Sequence, residues 1–148
     1  MRICTFFGHR ECYPLEAGQL ENAIEEWIGQ GVDTFYVGNQ GGFDAMVHSC
    51  LKRLSKRYPH IRYAVVLAYL PERKRQSDDF SDTMYPEGLE QGPPRFAIER
   101  RNRWMLAQAD CCICYVNSTW GGAYKFVRQA CRRGLTVRNL GRVCVSDP

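Results

Sequence analysis

The chain has 148 residues, of which 45% are hydrophobic and 24% are charged, and its formal net charge is +4 at pH 7. This length suits one domain, since two cores would each be marginally small, and the composition excludes an intrinsically disordered chain. The longest uncharged apolar run, 63–70, is far short of the ~20 residues that a membrane-spanning helix needs. The first residues have the pattern of a strand rather than of a signal peptide, so we expect a cytoplasmic protein without a membrane partner.

Strand-like runs alternate with helix-length amphipathic runs along the chain. The predicted strands cover 3–8, 34–38, 62–70, 111–116 and 135–140, and the predicted helices cover 14–30, 44–58, 95–108 and 123–133. Residues 71–94 contain many turn formers without periodicity and are predicted as an irregular loop. This alternation predicts an α/β fold, a Rossmann-like three-layer sandwich around a mostly parallel sheet of about five strands. We expect one such domain to span residues 1–148.

The eight cysteines fall in strand-like stretches and on apolar helix faces, where a free thiol behaves as a small hydrophobic side chain. We therefore predict reduced thiols rather than disulfides. Zinc is the alternative, with His9 and Cys12 as a second half-site. However, Cys111 and Cys112 are neighbours on a strand and point to opposite faces, unlike the ligands of a zinc knuckle. We predict no metal and no cofactor.

Glycine-rich or polar segments follow three of the predicted strands, at 8–10, 38–44 and 117–122. The carboxyl ends of parallel strands meet at one edge of a sheet, and α/β sheets bind their ligands there. Glycine allows a ligand to approach the backbone, and a helix N-terminus attracts phosphate. The sequence therefore predicts a site for a phosphorylated ligand at this edge.

Several residues near the carboxyl ends of the predicted strands have two alternative roles, one structural and one functional. Asp44 is predicted to be the N-cap of the second helix, or else to accept a hydrogen bond from a ribose hydroxyl. His9 is a turn residue or a general base, whereas Arg10 suits phosphate through its planar fork. Trp120 stacks on a base or covers the sheet edge. Arg101 borders the apolar stripe of the third predicted helix, which distinguishes it from an ordinary surface arginine.

Four short motifs occur in a characteristic order: Gly-His-Arg after the first strand, Gly-Gly-Phe-Asp after the second, Arg-Asn-Arg-Trp-Met before the fourth and Gly-Gly after it. Together they resemble the SLOG superfamily of Rossmann-like domains, and within it the small bacterial YpsA-like branch, from Cys4 to about Leu140. That superfamily is associated with nucleotides and nucleotide-derived ligands. The resemblance implies a small-molecule ligand of this type and leaves a homo-oligomer open by analogy.

The best-known SLOG enzymes are the LOG-type phosphoribohydrolases, which release a base from a nucleoside monophosphate. They carry an arginine before the fourth strand, where Arg101 stands here, and P-G-G-x-G-T-x-x-E after it. In this chain the glutamate position of that motif is Arg128. An arginine neither steadies a ribosyl cation nor activates water. The resemblance therefore implies binding without LOG-type hydrolysis.

Under this hypothesis glycines and Arg10 surround the phosphate, Arg101 is its counter-charge, Asp44 contacts a hydroxyl, and a base or sugar lies against Trp120 or Tyr124. The expected ligand-binding residues are Gly8, His9, Arg10, Gly38, Gly41, Gly42, Asp44, Arg101, Asn102, Asn117, Trp120, Gly121, Gly122 and Tyr124.

Two other functions stay open. The chain could be a nucleotide N-glycosidase that uses Asp44, Glu99 or an acid of the 71–94 segment as its carboxylate. Alternatively, residues 111–146 contain no acid and carry six of the chain's lysines and arginines. This basic stretch with its aromatic residues would favour single-stranded nucleic acid, a less favoured partner.

Overall fold

A computed structural model describes residues 1–70 and 82–145 of the chain. The strands are β1 (Ile3–Gly8), β2 (Thr34–Val37), β3 (Arg62–Val66), β4 (Thr83–Met84), β5 (Cys111–Tyr115) and β6 (Thr136–Asn139). The helices are α1 (Ala17–Gly29), α2 (Gly41–Arg57), α3 (Ala97–Gln108) and α4 (Gly122–Arg132), and a short 3-10 helix at Pro94–Phe96 precedes α3.

The described strands form one parallel sheet in the order β4-β3-β2-β1-β5-β6. Helices α1 and α2 pack on one face of this sheet, and α3 and α4 pack on the other. The predicted Rossmann-like three-layer sandwich is therefore confirmed. The chain builds outward from β1 in one direction and then returns to β5, so the strand order reverses between β1 and β5, where such sheets open a crevice for ligands.

The sheet has one more described strand than the five predicted. Strand β4 lies inside the segment predicted to be irregular, and it forms because the Val65 N–H donates to Asp82 O and the Leu67 N–H donates to Met84 O, both at 2.8 Å. Two edge residues have no detectable periodicity, so sequence pattern alone could not find them. Residues 71–81 of the same predicted loop lie outside the described residues.

The core combines the buried faces of the helices with strand residues that alternate between the two helical layers. Phe6 packs in the α1 and α2 layer and Phe7 in the α3 and α4 layer, as the period of a strand requires. All eight cysteines are free thiols, and burial raises the pKa of the Cys4 thiol well above its ordinary value. No described helix is both long and apolar enough to cross a membrane.

The loop after β1 packs tightly on the start of α2. The Gly42 N–H donates to Arg10 O at 2.8 Å, and a Cβ atom at Gly42 would lie 2.5 Å from that same oxygen. Because the contact is with backbone, a side-chain rotation could not relieve it. Gly42 therefore sets how closely the β1 loop approaches α2.

We expect Gly42→Ala to lower the free energy of unfolding by about 1–3 kcal/mol, because the β1 loop must move away from α2. Gly18→Ala is the matched control, since Gly18 is also the second residue of its helix and has nothing within 4 Å of an added Cβ. Alanine there should be neutral or stabilising by up to ~1 kcal/mol. Urea unfolding of both variants provides the comparison, and equal effects would contradict the packing role of Gly42.

Candidate functional site

A cavity of about 280 Å³ opens at the carboxyl end of β1. We call it the Arg101 cavity. The predicted residues that line it are Gly8, His9, Arg10, Asp44, Arg101, Asn102 and Gly122. They come from four separate segments of the chain, and the fold brings them together beside the β1–β5 crevice.

Arg101 on α3 is the only buried cation of the described residues, with 2% of its surface exposed. Its Nη1 donates to Val66 O at 3.1 Å and to Asn39 Oδ1 at 3.3 Å, and its Nε donates to Asn102 Oδ1 at 2.8 Å. Among the described residues, nothing accepts a hydrogen bond from Nη2. The guanidinium is therefore held rigidly while one of its nitrogens keeps both N–H groups for a ligand.

Gly38 makes room for this arrangement. A Cβ atom at Gly38 would lie 2.6 Å from Arg101 Nη1 and 2.9 Å from Asp44 Oδ2. Any side chain at position 38 would thus displace the guanidinium or the carboxyl group. Gly38 does not line the Arg101 cavity itself, and it acts by positioning these two groups.

Asp44 is 8% exposed and lies in the first turn of α2. Helix α2 begins at Gly41 with Gln40 as its N-cap, so the prediction of Asp44 as the N-cap residue was wrong. Its Oδ2 nevertheless accepts the Gln40 N–H at 3.0 Å, and so it satisfies a free donor of the helix end from inside the helix. Burial raises the pKa of this carboxyl to about 6, against the opposing effects of the Gln40 N–H and Arg101.

The two glycine pairs have different surroundings. A Cβ at Gly41 or Gly42 would collide with Arg10, so that pair serves packing, and the Gly42 N–H is already bonded to Arg10 O. At Gly121 and Gly122 an added Cβ would meet nothing within 4 Å. Helix α4 starts there with no side-chain cap and no acid in its first turn. Of the N-termini of α2 and α4, that of α4 is therefore the open one, and it can bind an anion.

His9 joins the loops that follow β1 and β5. Its Nε2 accepts the Asn117 N–H at 2.9 Å, which requires an unprotonated nitrogen at that position. Partial burial lowers the pKa of His9 and thus favours the neutral ring. His9 therefore acts structurally by linking the two loops, and it also lines the Arg101 cavity.

The other predicted residues do not line the Arg101 cavity. Gly38 and Gly41 line a smaller cavity of about 170 Å³ that shares Asp44 with the first. Trp120 is 74% exposed, and Tyr124 is half-buried on α4. Asn117 faces a different cavity.

Sequence reasoning missed two acceptors that hold Arg101. Asn39 lies within the polar segment after β2, so its side chain could have been included with that segment. The Val66 carbonyl has no sequence signal, because every residue has one and only the end of β3 leaves it facing Arg101. Gln40 and Ile98 also line the cavity and were not predicted.

Asp44 and Glu99, the two described residues that were predicted as alternative catalytic carboxylates of a hydrolase, have very different surroundings. Glu99 bonds Lys125 at 2.5 Å and Arg103 at 3.0 Å, which lowers its pKa, and it does not line the Arg101 cavity. Asp44 is the described acid that does. Within residues 1–70 and 82–145, no three His, Cys, Asp or Glu side chains are grouped to hold a metal ion.

Comparisons with known proteins found no matching family model and no matching curated protein.

The raised pKa of Asp44 makes stability depend on pH. The folded carboxyl titrates near pH 6 and the unfolded one near pH 3.8, so the folded chain holds more protons between these values. Stability from this group is fully present below pH 3.8 and is lost as the pH rises through 6, by about 3 kcal/mol.

We expect Asp44→Asn to have nearly wild-type stability at pH 4 and to be more stable by about 2–3 kcal/mol at pH 8, because the neutral amide avoids the buried charge. Urea unfolding across this range measures the difference. Asp110→Asn is the control, since Asp110 is exposed and its carboxylate also accepts one backbone N–H, that of Ile3. A stability difference for Asp44→Asn that stays constant with pH would contradict the burial of a charge there.

Proposed function

We propose that this protein binds a nucleotide or nucleotide-derived phosphorylated ligand in the Arg101 cavity. The observation that carries the proposal is a buried and held guanidinium whose Nη2 has no hydrogen-bond acceptor among the described residues. A buried charge is costly unless it is paired, and among the described residues Asp44 acts on the charge of Arg101 without a direct hydrogen bond between the two side chains. A phosphate oxygen in the cavity would supply both the countercharge and the missing acceptors.

The remaining parts of the cavity suit the rest of a nucleotide. The open N-terminus of α4 would donate backbone N–H groups to the same phosphate. One oxygen of Asp44 is engaged by Gln40, and the other would accept a ribose hydroxyl. Trp120 or Tyr124, which do not line the cavity but lie close in the chain to Gly122 and Ala123 of its lining, would stack against the base or sugar.

The resemblance to the SLOG superfamily agrees with this ligand class and is part of the proposal. So is the expectation of binding without LOG-type hydrolysis, since Arg128 occupies the place of the motif glutamate and does not line the cavity. Eight free thiols favour a reducing compartment, and we place the protein in the cytoplasm. A homo-oligomer is compatible with the proposal.

A hydrolase is the second candidate, and the surroundings of Asp44 favour it. A carboxyl with a pKa of about 6 in a cavity is suited to general acid or base catalysis near neutral pH. Asp44 would then activate water toward the glycosidic carbon instead of accepting a hydroxyl. This reading uses the same cavity and the same phosphate contacts.

Binding of single-stranded nucleic acid is the less favoured function, because ion pairs already occupy part of the basic stretch. Lys125 is bonded to Glu99, and Arg138 is bonded to Glu26. Two cations of the basic stretch are thus already paired on the surface. A nucleic-acid site there would bind oligonucleotides with a steep salt dependence.

The binding test is a thermal-shift screen with nucleoside mono- and diphosphates, followed by calorimetry. We expect Arg101→Lys to weaken binding by ~1.5–3 kcal/mol, because lysine loses the planar fork while keeping the charge. Arg103→Lys is the matched control on the same helix, since Arg103 is exposed and Glu99 is its one side-chain partner among the described residues. Equal affinity of Arg101→Lys and wild type would remove Arg101 from the site.

A second variant leaves the buried guanidinium in place. Ala123→Asp puts an acid in the first turn of α4, where it favours the helix through the dipole but repels a phosphate in the cavity that Ala123 lines. We expect normal melting without ligand and a loss of the ligand-induced shift.

Prolonged incubation with nucleoside monophosphates, followed by chromatography, separates a binder from a hydrolase. We expect no release of free base. Release by wild type together with its loss in Asp44→Asn would establish the hydrolase instead.

A further inference from the structure

A second cavity of about 380 Å³ lies at the carboxyl end of β5, on the side of α1. We call it the Tyr115 cavity, and we define it by Leu15, Tyr115, Leu140 and Arg142, which line it. The Arg101 cavity lies on the side of α3 and α4, since Ile98 and Gly122 belong to its lining. The two cavities therefore flank the strand reversal between β1 and β5.

One hydrogen bond joins a lining residue of each cavity. His9 lines the Arg101 cavity, Asn117 lines the Tyr115 cavity, and the Asn117 N–H donates to His9 Nε2 at 2.9 Å. A ligand that crosses above this bond would reach both cavities without passing through the core.

The Tyr115 cavity has a polar group without a full set of partners. Tyr115 is 3% exposed, and its hydroxyl oxygen accepts the Asn117 Nδ2–H at 2.8 Å. Within residues 1–70 and 82–145, nothing accepts the hydroxyl hydrogen. A buried phenol that still has a hydrogen to donate is suited to an oxygen or nitrogen acceptor of a ligand.

The rest of this cavity combines apolar wall and positive charge. Leu15 is buried and Leu140 is half-buried, so the pair offers a surface for a ring. Arg142 is exposed, and its guanidinium makes no hydrogen bond or ion pair with the described part of the chain, because only its backbone N–H is bonded, to Asn117 Oδ1 at 2.7 Å. The cavity thus offers an apolar wall, one buried donor and the exposed cation Arg142, and one acid, Glu16, also belongs to its lining.

We infer that the ligand is two-ended, a pyrophosphate-linked compound of the nucleoside diphosphate sugar or dinucleotide type, with one half in each cavity. The inference rests on the proposed function of the Arg101 cavity. Arg101 would bind one phosphate and Arg142 the other, on either side of the His9–Asn117 hydrogen bond. The second sugar or base would lie against Leu15 and Leu140 and accept the hydrogen bond of Tyr115.

Calorimetry with matched ligand pairs tests this inference: AMP against ADP-ribose, and UMP against UDP-glucose. We expect the two-ended member of at least one pair to bind tenfold or more tightly than its mononucleotide. Equal affinities within both pairs would overturn the two-ended ligand and leave the proposed function standing. Absence of binding by all four compounds would overturn both.

Two variants test whether the Tyr115 cavity provides the gain, by which we mean the additional affinity of the two-ended ligand over its mononucleotide. Leu140→Trp fills the Tyr115 cavity and should abolish the gain while the mononucleotide keeps its wild-type affinity. Leu70→Trp is the matched control, since Leu70 is exposed and lines neither cavity.

Arg142→Ala tests the same cavity without touching the core, with Arg133→Ala as its control because Arg133 is exposed and lines neither cavity. We expect Arg142→Ala to reduce the affinity for the two-ended ligand at least fivefold and that for the mononucleotide by less than twofold. A gain that survives both Leu140→Trp and Arg142→Ala would place the second half of the ligand elsewhere and overturn the inference.

Discussion

The carboxyl edge of the sheet is organised around the burial of one positive charge. A guanidinium that loses its water must recover its hydrogen bonds from protein, and Arg101 recovers three of them, from the end of β3, the loop after β2 and its own helix. Arg101 therefore links α3 to the end of β3 and to the loop after β2, and within the described part of the chain its remaining N–H groups have no acceptor.

Asp44 shows that this edge is not built for stability alone. Its charged form is disfavoured by burial, so that the pKa rises to about 6 although Arg101 and the Gln40 N–H oppose the shift. An apolar or amide side chain would fill the same space at less cost. A group kept against stability in the lining of a cavity is typical of a functional site, and both proposed functions, ligand binding and hydrolysis, would use it.

The loops of the two central strands contribute to both the Arg101 cavity and the Tyr115 cavity. Because the strand order reverses between β1 and β5, their connections leave on opposite faces and open a crevice between them. The link from His9 to Asn117 crosses that crevice, and the neutral form of His9 maintains it. The packed glycines at 41 and 42 hold the β1 loop in position, whereas the glycines at 121 and 122 leave the start of α4 open.

The sequence by itself determined the fold class, because alternating strand and helix periodicities with right-handed crossovers admit few arrangements. It also singled out Arg101, since a cation beside an apolar stripe is detectable from helical spacing. Only the tertiary structure decided what surrounds each residue: that β4 pairs with β3, that Asp44 lies inside the helix it was expected to cap, and that one glycine pair packs while the other is open. These properties depend on contacts between residues far apart in the chain, and local sequence does not encode the distance between them.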